Sequence, residues 1–500
     1  MVRAEQEKQI DAEDQGMHGP ATRTTVPPAD GSGARALDTD NASAAAMINA
    51  RLDRLPMSRP IWKLVLMVAL GAWFEIYDVF FTAYIGPGLV RSGIFTTSTA
   101  NFFGFAGLGA FVAAMFAGLF VGTLVFGQLA DRFGRRVVFM GALLWYTAAA
   151  ALLACQHSAE WIIFFRFLTG IGAGAEIVTI DSYTTELVPA NSRGRSFAFL
   201  QAIQFSAVPT VALVAWWFVP TAPLGFDGWR WVIWIGCLGA VAVWFIRLGL
   251  PESPRWLAQR GRIAEADAIV SRLEHEIVAR TGTSLSEPKP HPPVAQEQKV
   301  NFAVLWQSRY RGRTIMMLVF NFFQSIGYYG FASWIPTLLI AKGINVTHSL
   351  LYSFVIAIAN PIGPLLSMSF AERIERKWIV VGSASAMAVI GIIFSKQEDA
   401  ALIVALGVAM ALASNCLTFS YRAYQAELFP TRMRSRAIGV VYSISRISAM
   451  FSGFLIAFCL RDYGATGVFA LIAGAMAIVV VTIGVFGPRT NGLKLEAVSG

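Results

Sequence analysis

The sequence has little charge, few cysteines and few histidines. Only 14% of its 500 residues are charged, whereas 55% are hydrophobic; with a mean hydropathy of +0.56, this composition excludes an ordinary soluble domain of that length. The five histidines form no metal-ligand or nucleophile constellation, and the four cysteines lie in apolar segments without disulfide or metal spacing: Cys155, Cys237, Cys416 and Cys459. We therefore expect a polytopic membrane protein that holds no metal or cofactor and is not an enzyme.

The net charge of +9 does not indicate a nucleic-acid partner, because the basic residues concentrate in the short loops on one side of the apolar segments. By the positive-inside rule, this asymmetry predicts a multi-pass protein of the cytoplasmic (inner) membrane with both termini in the cytoplasm. The loops assigned to the cytoplasm contain Arg132, Arg135, Arg136, Arg193, Arg195, Arg373, Arg376, Lys377, Arg432, Arg434 and Arg436, whereas the opposite side offers only Arg91, Arg230, Lys342, Lys396 and Arg461.

Two motifs recur in the chain at the same offset. GQLADRFGRR at Gly127–Arg136 returns in altered form as MSFAERIERK at Met368–Lys377, and YTTELVPANSRGR at Tyr183–Arg195 returns as YQAELFPTRMRSR at Tyr424–Arg436. Both pairs are 241 residues apart. A shared offset predicts two copies of one unit.

The two copies consist of a dozen apolar segments long enough to cross a hydrocarbon layer of about 30 Å as helices. Between the sixth and seventh lies a polar stretch with the Pro-rich tract SEPKPHPP, typical of a linker. The first residues are polar and lack the pattern of a signal peptide. The predicted divisions are a disordered cytoplasmic tail (1–58), a six-helix half (59–250), a cytoplasmic linker (251–313), a second six-helix half (314–488) and a cytoplasmic tail (489–500).

The motif at Gly127–Arg136 resembles the signature loop of the major facilitator superfamily of secondary transporters. RFLTGIGAG at Arg166–Gly174, the Glu186–Arg195 run and PESPRWL at Pro251–Leu257 are similar to the branch that contains the sugar porters and the metabolite:proton symporters. The resemblance covers residues from about 60 to 490. It implies an all-α membrane protein of twelve transmembrane helices in two pseudo-symmetric halves, working as a monomer by alternating access on a small-molecule substrate and protons.

Ionisable residues inside apolar spans are costly, so each is a functional candidate. Glu75 and Asp78 lie three residues apart on the first helix, at neighbouring positions of one face. Two carboxylates buried beside each other are perturbed in their titration, which suits a carrier of protons. In the branch that the chain resembles, an aspartate of the first helix pairs with an arginine of the fourth and releases it on protonation. The resemblance places Asp78 and Arg166 in these roles; a permanent ion pair or a different coupling carboxylate are the alternatives.

Charged residues near the cytoplasmic helix ends resemble the networks that hold the two halves together in the outward-facing state. Solvated interfacial charge is the alternative. The predicted gate residues are Gly127, Asp131, Arg132, Gly134, Arg135, Arg136, Glu186, Arg193, Glu252, Arg255, Glu372, Arg373, Glu427 and Arg434. The repeat offset also makes Asp181 and Arg422 equivalent positions of the two copies. Their opposite charges predict an ion pair between the halves in one state of the cycle. Equally, each residue could bond within its own half.

The seventh helix reads NFFQSIGYYG and lacks the second glutamine and the asparagine of the sugar porters, so a hexose would find few hydrogen-bond partners. Arg446 lies near the middle of the eleventh helix, where a guanidinium suits a planar carboxylate, although a static pair with Glu75 or Glu176 is equally open. The predicted substrate-binding residues are Arg446, Gln324, Tyr328, Tyr329, Asn415, Glu176 and Tyr442.

The sequence therefore predicts proton-coupled symport of a small organic anion, such as the aromatic carboxylates nicotinate or hydroxybenzoate. A sugar or polyol:proton porter, an exporter of drugs or metabolites, and a nutrient sensor that uses the fold without flux are the alternatives. The sensor is disfavoured because neither the tail nor the linker contains a recognisable signalling domain.

Overall fold

The computed structural model describes residues 31–96, 107–189, 192–282, 284–288, 302–370, 374–429 and 434–489. Within these ranges the chain is helical, and its only β-type pairing is an isolated bridge between Thr96 and Gly107. The helices of the first half and the linker are α1 (Gly31–Asp53), α2 (Arg59–Arg91), α3 (Leu108–Phe133), α4 (Arg135–Ala154), α5 (Ala159–Leu187), α6 (Arg193–Phe205), α7 (Ala207–Phe218), α8 (Gly228–Arg247), α9 (Pro254–Gln259) and α10 (Ile263–Thr281).

The second half contains α11 (Ser308–Ala332), α12 (Ile335–Ala341), α13 (Val346–Ala357), α14 (Ala359–Phe370), α15 (Arg376–Lys396), α16 (Ala400–Glu427) and α17 (Arg434–Phe486), and short 3-10 turns lie at Pro223–Gly225 and Phe302–Trp306. Eleven segments of the described chain are long and apolar enough to cross a membrane. The last, Ala437–Phe486, breaks at Gly464, whose φ of 64° is not helical. At 1.5 Å per residue an unbroken helix of this length would be more than twice the thickness of the hydrocarbon layer, so it provides two spans and the described total is twelve.

Glycines allow α3 and α5 to touch along their backbones. A Cβ atom on Gly118 would overlap the carbonyl oxygen of Phe167, and one on Gly170 would overlap that of Met115. Such contacts are typical of membrane helices, whose association depends on close packing rather than on the exclusion of water. Gly170 and Gly174, which follow Arg166 on α5, therefore form part of its contact with α3.

The two halves meet directly on the side away from the linker. A Cβ atom on Gly453 of α17 would lie 2.9 Å from the carbonyl oxygen of Gly109 in α3, so the helices touch there through small residues. Phe116 of α3 also packs edge-to-face on Tyr329 of α11, with ring centroids 4.4 Å apart. On the linker side, by contrast, a cavity separates the halves.

The prediction of a disordered tail is wrong for Gly31–Asp53, which form helix α1. Ile48, Leu52 and Leu55 are buried in one cluster with apolar residues of α10. Arg51 donates to Glu274 of α10 at 2.6 Å and Arg54 donates to the same carboxylate at 2.5 Å. Polar composition concealed this helix because its apolar residues are few and are buried in a cluster with the linker helices α9 and α10.

Substitution of Glu274 by glutamine should loosen α1 from α10. Burial works to raise the pKa of Glu274, but hydrogen bonds from Arg51 and Arg54 outweigh it and hold that pKa below its ordinary value of 4.5. The carboxylate therefore stabilises docking fully above pH 4.5, and this contribution is lost as the pH falls below it. Loss of the charge should weaken the docking of α1 by about 2 kcal/mol and raise the undocked population about 30-fold. Hydrogen exchange of the α1 amides measures this population.

The matched control is Glu276→Gln, because Glu276 lies on the same helix and its ion pair within the described residues is with Arg280, one turn away. This control should leave α1 exchange unchanged. Equal acceleration by both variants would show that α10 itself has been weakened.

Candidate functional site

A cavity of about 300 Å³ lies between the halves near the middle of the spans and extends toward the linker side. Its walls come from α2, α3, α5 and α6 of the first half and from α11, α16 and α17 of the second. The charged residues on its surface are Glu75, Asp181, Arg422 and Arg446, and the polar neutral ones are Gln201, Gln204, Gln324, Ser325, Thr418, Gln425 and Ser445 together with Tyr328, Tyr329, Tyr421 and Tyr442. It is the size of a small-molecule site.

Arg446, on α17, is one of the two arginines of the described chain that line the cavity. Its Nη1 donates to the Tyr329 hydroxyl at 3.3 Å and its Nη2 to the Tyr442 hydroxyl at 3.2 Å, and its guanidinium lies 5.0 Å from the centre of the Tyr442 ring. The residue is 5% exposed, and no carboxylate of the described chain lies within ion-pair distance of it. A buried guanidinium held only by phenols retains the capacity to bind an anion through its fork of N–H groups.

Glu75 lies on the α2 wall of the same cavity. The side-chain amide of Gln204, on α6, donates to its carboxylate at 2.9 Å. The residue is buried, and no described cation lies within 4.0 Å of it. The predicted static pair between Arg446 and Glu75 is therefore not formed in this structure.

Asp181 and Arg422 both line the cavity, from α5 and α16. They belong to different halves, as the repeat offset requires, and opposite charges across a cavity attract. No direct ion pair between them is formed in the described chain. The structure thus places the two residues at one site, and their predicted pairing in another state of the cycle stays a prediction.

The seventh-helix residues Gln324, Tyr328 and Tyr329 line the cavity together with Tyr442. Sequence reasoning missed three further amides, Gln201, Gln204 and Gln425, which occupy the same surface. The rule that singled out carboxylates inside apolar spans could have found them, since a glutamine is also costly in lipid unless it faces a cavity or a partner.

The predicted coupling pair is formed, but away from the cavity surface. Arg166 donates to the Asp78 carboxylate at 3.0 Å and to the Asp78 carbonyl oxygen at 2.7 Å, and it also contacts the Thr82 hydroxyl. Its guanidinium lies 4.2 Å from the centre of the Phe81 ring. Both side chains are buried and neither lines the cavity, whereas Glu75, one helical turn away on α2, does.

Glu176 and Asn415 are predicted substrate ligands, and the structure places neither on the cavity surface. Glu176 forms an ion pair with Arg247 of α8 in which both side chains are fully buried. Gly71 makes room for this pair, because a Cβ atom there would overlap the guanidinium. Asn415 instead donates to Asn360 at 3.3 Å and to the carbonyl oxygen of Ala411 at 2.9 Å. The sequence indicates depth in the membrane but not the direction in which a side chain faces.

Arg247→Ala should lower the free energy of unfolding by about 3–5 kcal/mol, because it leaves Glu176 buried without its partner. The double variant Glu176→Leu with Arg247→Met replaces the pair by apolar groups of similar size and should recover most of this loss. Thermal unfolding in detergent measures both effects. Unchanged ligand affinity in the double variant would agree with a structural pair. Lost affinity in a stable double variant would show that Glu176 contributes to ligand binding.

Most of the predicted gate residues of the first half form one network. Arg135 donates to Asp131 at 2.8 Å and to Glu186 at 3.1 Å, while the backbone N–H groups of Arg135 and Arg136 donate to Glu252 at 3.0 and 3.1 Å. Gly134, with a φ of 103°, leaves the space that Glu252 occupies. Arg255 extends the network to the backbone of Glu186 and to Asp53 of α1.

Other predicted gate residues lie around this network. Arg132 is exposed beside the Phe133 ring, Gly127 faces Val178, and Arg193 is half-buried at the start of α6. In the second half Glu427 pairs with Arg376. Glu372 and Arg373 lie outside the described residues, as does the side chain of Arg434. Every gate ion pair that the structure describes stays within one half, which agrees with a cavity that extends to the linker side.

The chain is similar to known membrane transport proteins over most of its length. Residues 64–499 match the family model described as "Sugar (and other) transporter". The chain is 30% identical over 463 residues to the inner membrane metabolite transport protein YdjE of Escherichia coli (strain K12), covering 90% of this chain and 98% of that protein. It is 28% identical over 450 residues to the niacin transporter NiaP of Acinetobacter baylyi (strain ATCC 33305 / BD413 / ADP1), covering 90% and 99%.

Among solved structures, the chain resembles the xylose transporter XylE of E. coli in a partially occluded inward-open conformation. The TM-score is 0.71 at 19% sequence identity, over 87% of this chain and all of that one. The likeness confirms the predicted all-helical fold.

Proposed function

Because the chain belongs to the family of sugar and other transporters, we propose that it is a proton-coupled symporter of a small organic anion in the cytoplasmic membrane. Membership of the family makes it a transporter of small molecules and not an enzyme. The proposed substrate class is the aromatic carboxylates of one ring, of which nicotinate and hydroxybenzoate are examples. The niacin transporter among the relatives and the inner-membrane relative support the substrate class and the location.

The observation that carries the proposal is Arg446. It lies on the wall of the cavity with two tyrosine hydroxyls as its hydrogen-bond acceptors and without a carboxylate partner in the described chain. A substrate carboxylate supplies the missing negative charge and accepts two parallel hydrogen bonds. The rings of Tyr328, Tyr329 and Tyr442 provide faces on which an aromatic substrate can stack.

Proton coupling is proposed to use the two carboxylates of α2. A substrate anion bound at Arg446 would be repelled by an ionised Glu75 on the same cavity surface, so protonation of Glu75 favours substrate binding. Asp78, one turn away, would release Arg166 when it is protonated and thereby loosen α2 from α5. Return of the empty carrier then requires both carboxylates to lose their protons on the linker side.

The gate network and the pair of Asp181 with Arg422 are proposed to govern which side is open. In the outward-facing state the cavity must close on the linker side, which brings α5 and α16 together and allows the pair to form. The charged groups around Asp131 and Glu427 would then bridge the halves instead of bonding within each half.

A sugar or polyol:proton porter is the second candidate, and the amide groups of the cavity favour it. Gln201, Gln204, Gln324 and Gln425 provide donors and acceptors that suit hydroxyl groups. A neutral sugar would, however, leave the charge of Arg446 without a counter-ion.

The test is uptake by the purified protein in proteoliposomes, with and without an imposed inward proton gradient. The panel is nicotinate, 4-hydroxybenzoate, a dicarboxylate and a hexose, and protein-free liposomes are the control. We expect accumulation of one aromatic acid only under the gradient. Hexose uptake would favour the sugar porter, gradient-independent flux of the acid would overturn proton coupling, and the absence of any flux would favour export or sensing.

A further inference from the structure

A groove on the outer surface of the first half is lined by Arg59, Trp62, Lys63, Leu66 and Phe199. The first four belong to the opening turns of α2 and the last to α6. Trp62 packs edge-to-face on Phe199, with ring centroids 4.9 Å apart, so the floor of the groove is aromatic. The groove lies on the linker side, and none of its lining residues lines the cavity between the halves.

The groove is positively charged. Arg59 and Lys63 lie four residues apart, on one face of α2, and both are exposed. Arg195, which is not part of the groove lining, is exposed as well and lies one turn before Phe199 on α6. None of the three forms an ion pair with a described residue, and the groove lining contains no carboxylate.

The deeper part of the groove is apolar and faces outward from the bundle. Leu66 is 40% exposed and Phe199 39% exposed, although both lie within segments that are long and apolar enough to cross the membrane. Exposed apolar side chains at that depth contact acyl chains, whereas a tryptophan one turn nearer the helix start suits the headgroup level. Along α2 the lining therefore passes from Arg59, Trp62 and Lys63 to the acyl-facing Leu66, as a phospholipid passes from its headgroup to its acyl chains.

We propose that this groove binds an anionic phospholipid of the leaflet on the linker side, predicted to be the cytoplasmic leaflet. The phosphate diester accepts hydrogen bonds from Arg59 and Lys63. One acyl chain lies along Leu66 and Phe199. The site holds the start of α2, the helix that carries Glu75 and Asp78, against α6, which carries Gln204. It is separate from the proposed substrate site and does not depend on the identity of the substrate.

The experiment is native mass spectrometry of the full-length protein in detergent, titrated with dioleoyl phosphatidylglycerol and, separately, with dioleoyl phosphatidylcholine. We expect the anionic lipid to bind with higher affinity. Arg59→Gln with Lys63→Gln should weaken its binding about 25-fold, about fivefold for each charge removed. The matched control is Arg309→Gln with Arg311→Gln, which removes two exposed charges at the start of the first helix of the other half and should change affinity less than twofold.

Unchanged affinity in the first double variant, or equal losses in the two, would overturn the site in favour of diffuse attraction. Glycerol phosphate at the same concentrations should not compete, since it lacks acyl chains; full competition would show that the groove binds a free phosphate ester instead. Lys63→Gln alone, at an exposed position, should lose about fivefold, and it decides the question if the double variant fails to fold.

Discussion

Arg446→Gln should weaken binding of the substrate anion about 150-fold, equivalent to about 3 kcal/mol. The substitution removes the cation to which the substrate carboxylate is proposed to bind, while the glutamine amide can still donate to one of the two tyrosines. Arg446→Lys keeps the charge but loses the planar fork, so we expect an intermediate loss of about tenfold. Isothermal titration in detergent measures both affinities without depending on transport.

Arg461→Gln is the matched control, because Arg461 lies on the same continuous segment, is accessible to solvent and pairs with its neighbour Asp462. This variant should bind the substrate as the wild type does. If Arg446→Gln binds the anion with unchanged affinity, Arg446 only positions Tyr329 and Tyr442, and the substrate must be recognised by other groups in the cavity.

Asp78→Asn should abolish accumulation of the substrate under a proton gradient and leave exchange of internal for external substrate in place. The amide cannot carry a proton through the cycle, and it leaves Arg166 buried without its counter-ion, which should also lower stability by about 3–5 kcal/mol. The measurement compares gradient-driven uptake with counterflow in the same proteoliposomes. Loss of both activities in a folded variant would indicate a structural pair.

Glu75→Gln is the companion variant, and Asp227→Asn is the control for a carboxylate outside the predicted coupling site. If Asp78→Asn still accumulates substrate and Glu75→Gln does not, the coupling proton resides on the cavity carboxylate alone. If both variants accumulate substrate fully, neither residue of α2 carries the coupling proton. The control should behave as the wild type does.

The cavity illustrates how far sequence reasoning reached. It selected Glu75, Asp181 and Arg446 because ionisable groups within apolar spans are expensive, Arg422 through the repeat offset and Gln324 through the seventh-helix motif, and all five line one cavity. The same rule also selected Glu176, and Asn415 was another predicted substrate ligand, but these two are satisfied by Arg247 and Asn360 instead. The free-energy cost of a polar side chain inside the membrane indicates that the side chain has a partner. It does not indicate whether this partner is a substrate or a neighbouring helix.

The tail shows a different limit. A polar segment with few apolar residues predicts disorder, yet Arg51 and Arg54 hold α1 on α10 through Glu274. These partners are more than 200 residues apart in the chain. No local pattern could have paired them, because an apolar face such as that of α10 indicates that a helix is packed but not which distant segment packs on it.

The sequence by itself determined the membrane class, the repeat, the family and the predicted orientation, since these follow from composition, spacing and loop charge summed over many residues. The twelve spans also follow, because each must satisfy its own backbone within about 20 residues of hydrocarbon. Only the tertiary structure decided that Asp78 pairs with Arg166 away from the cavity while Glu75 faces it. The two carboxylates lie one turn apart on α2, and which side of a helix meets a cavity is fixed by the helices packed around it.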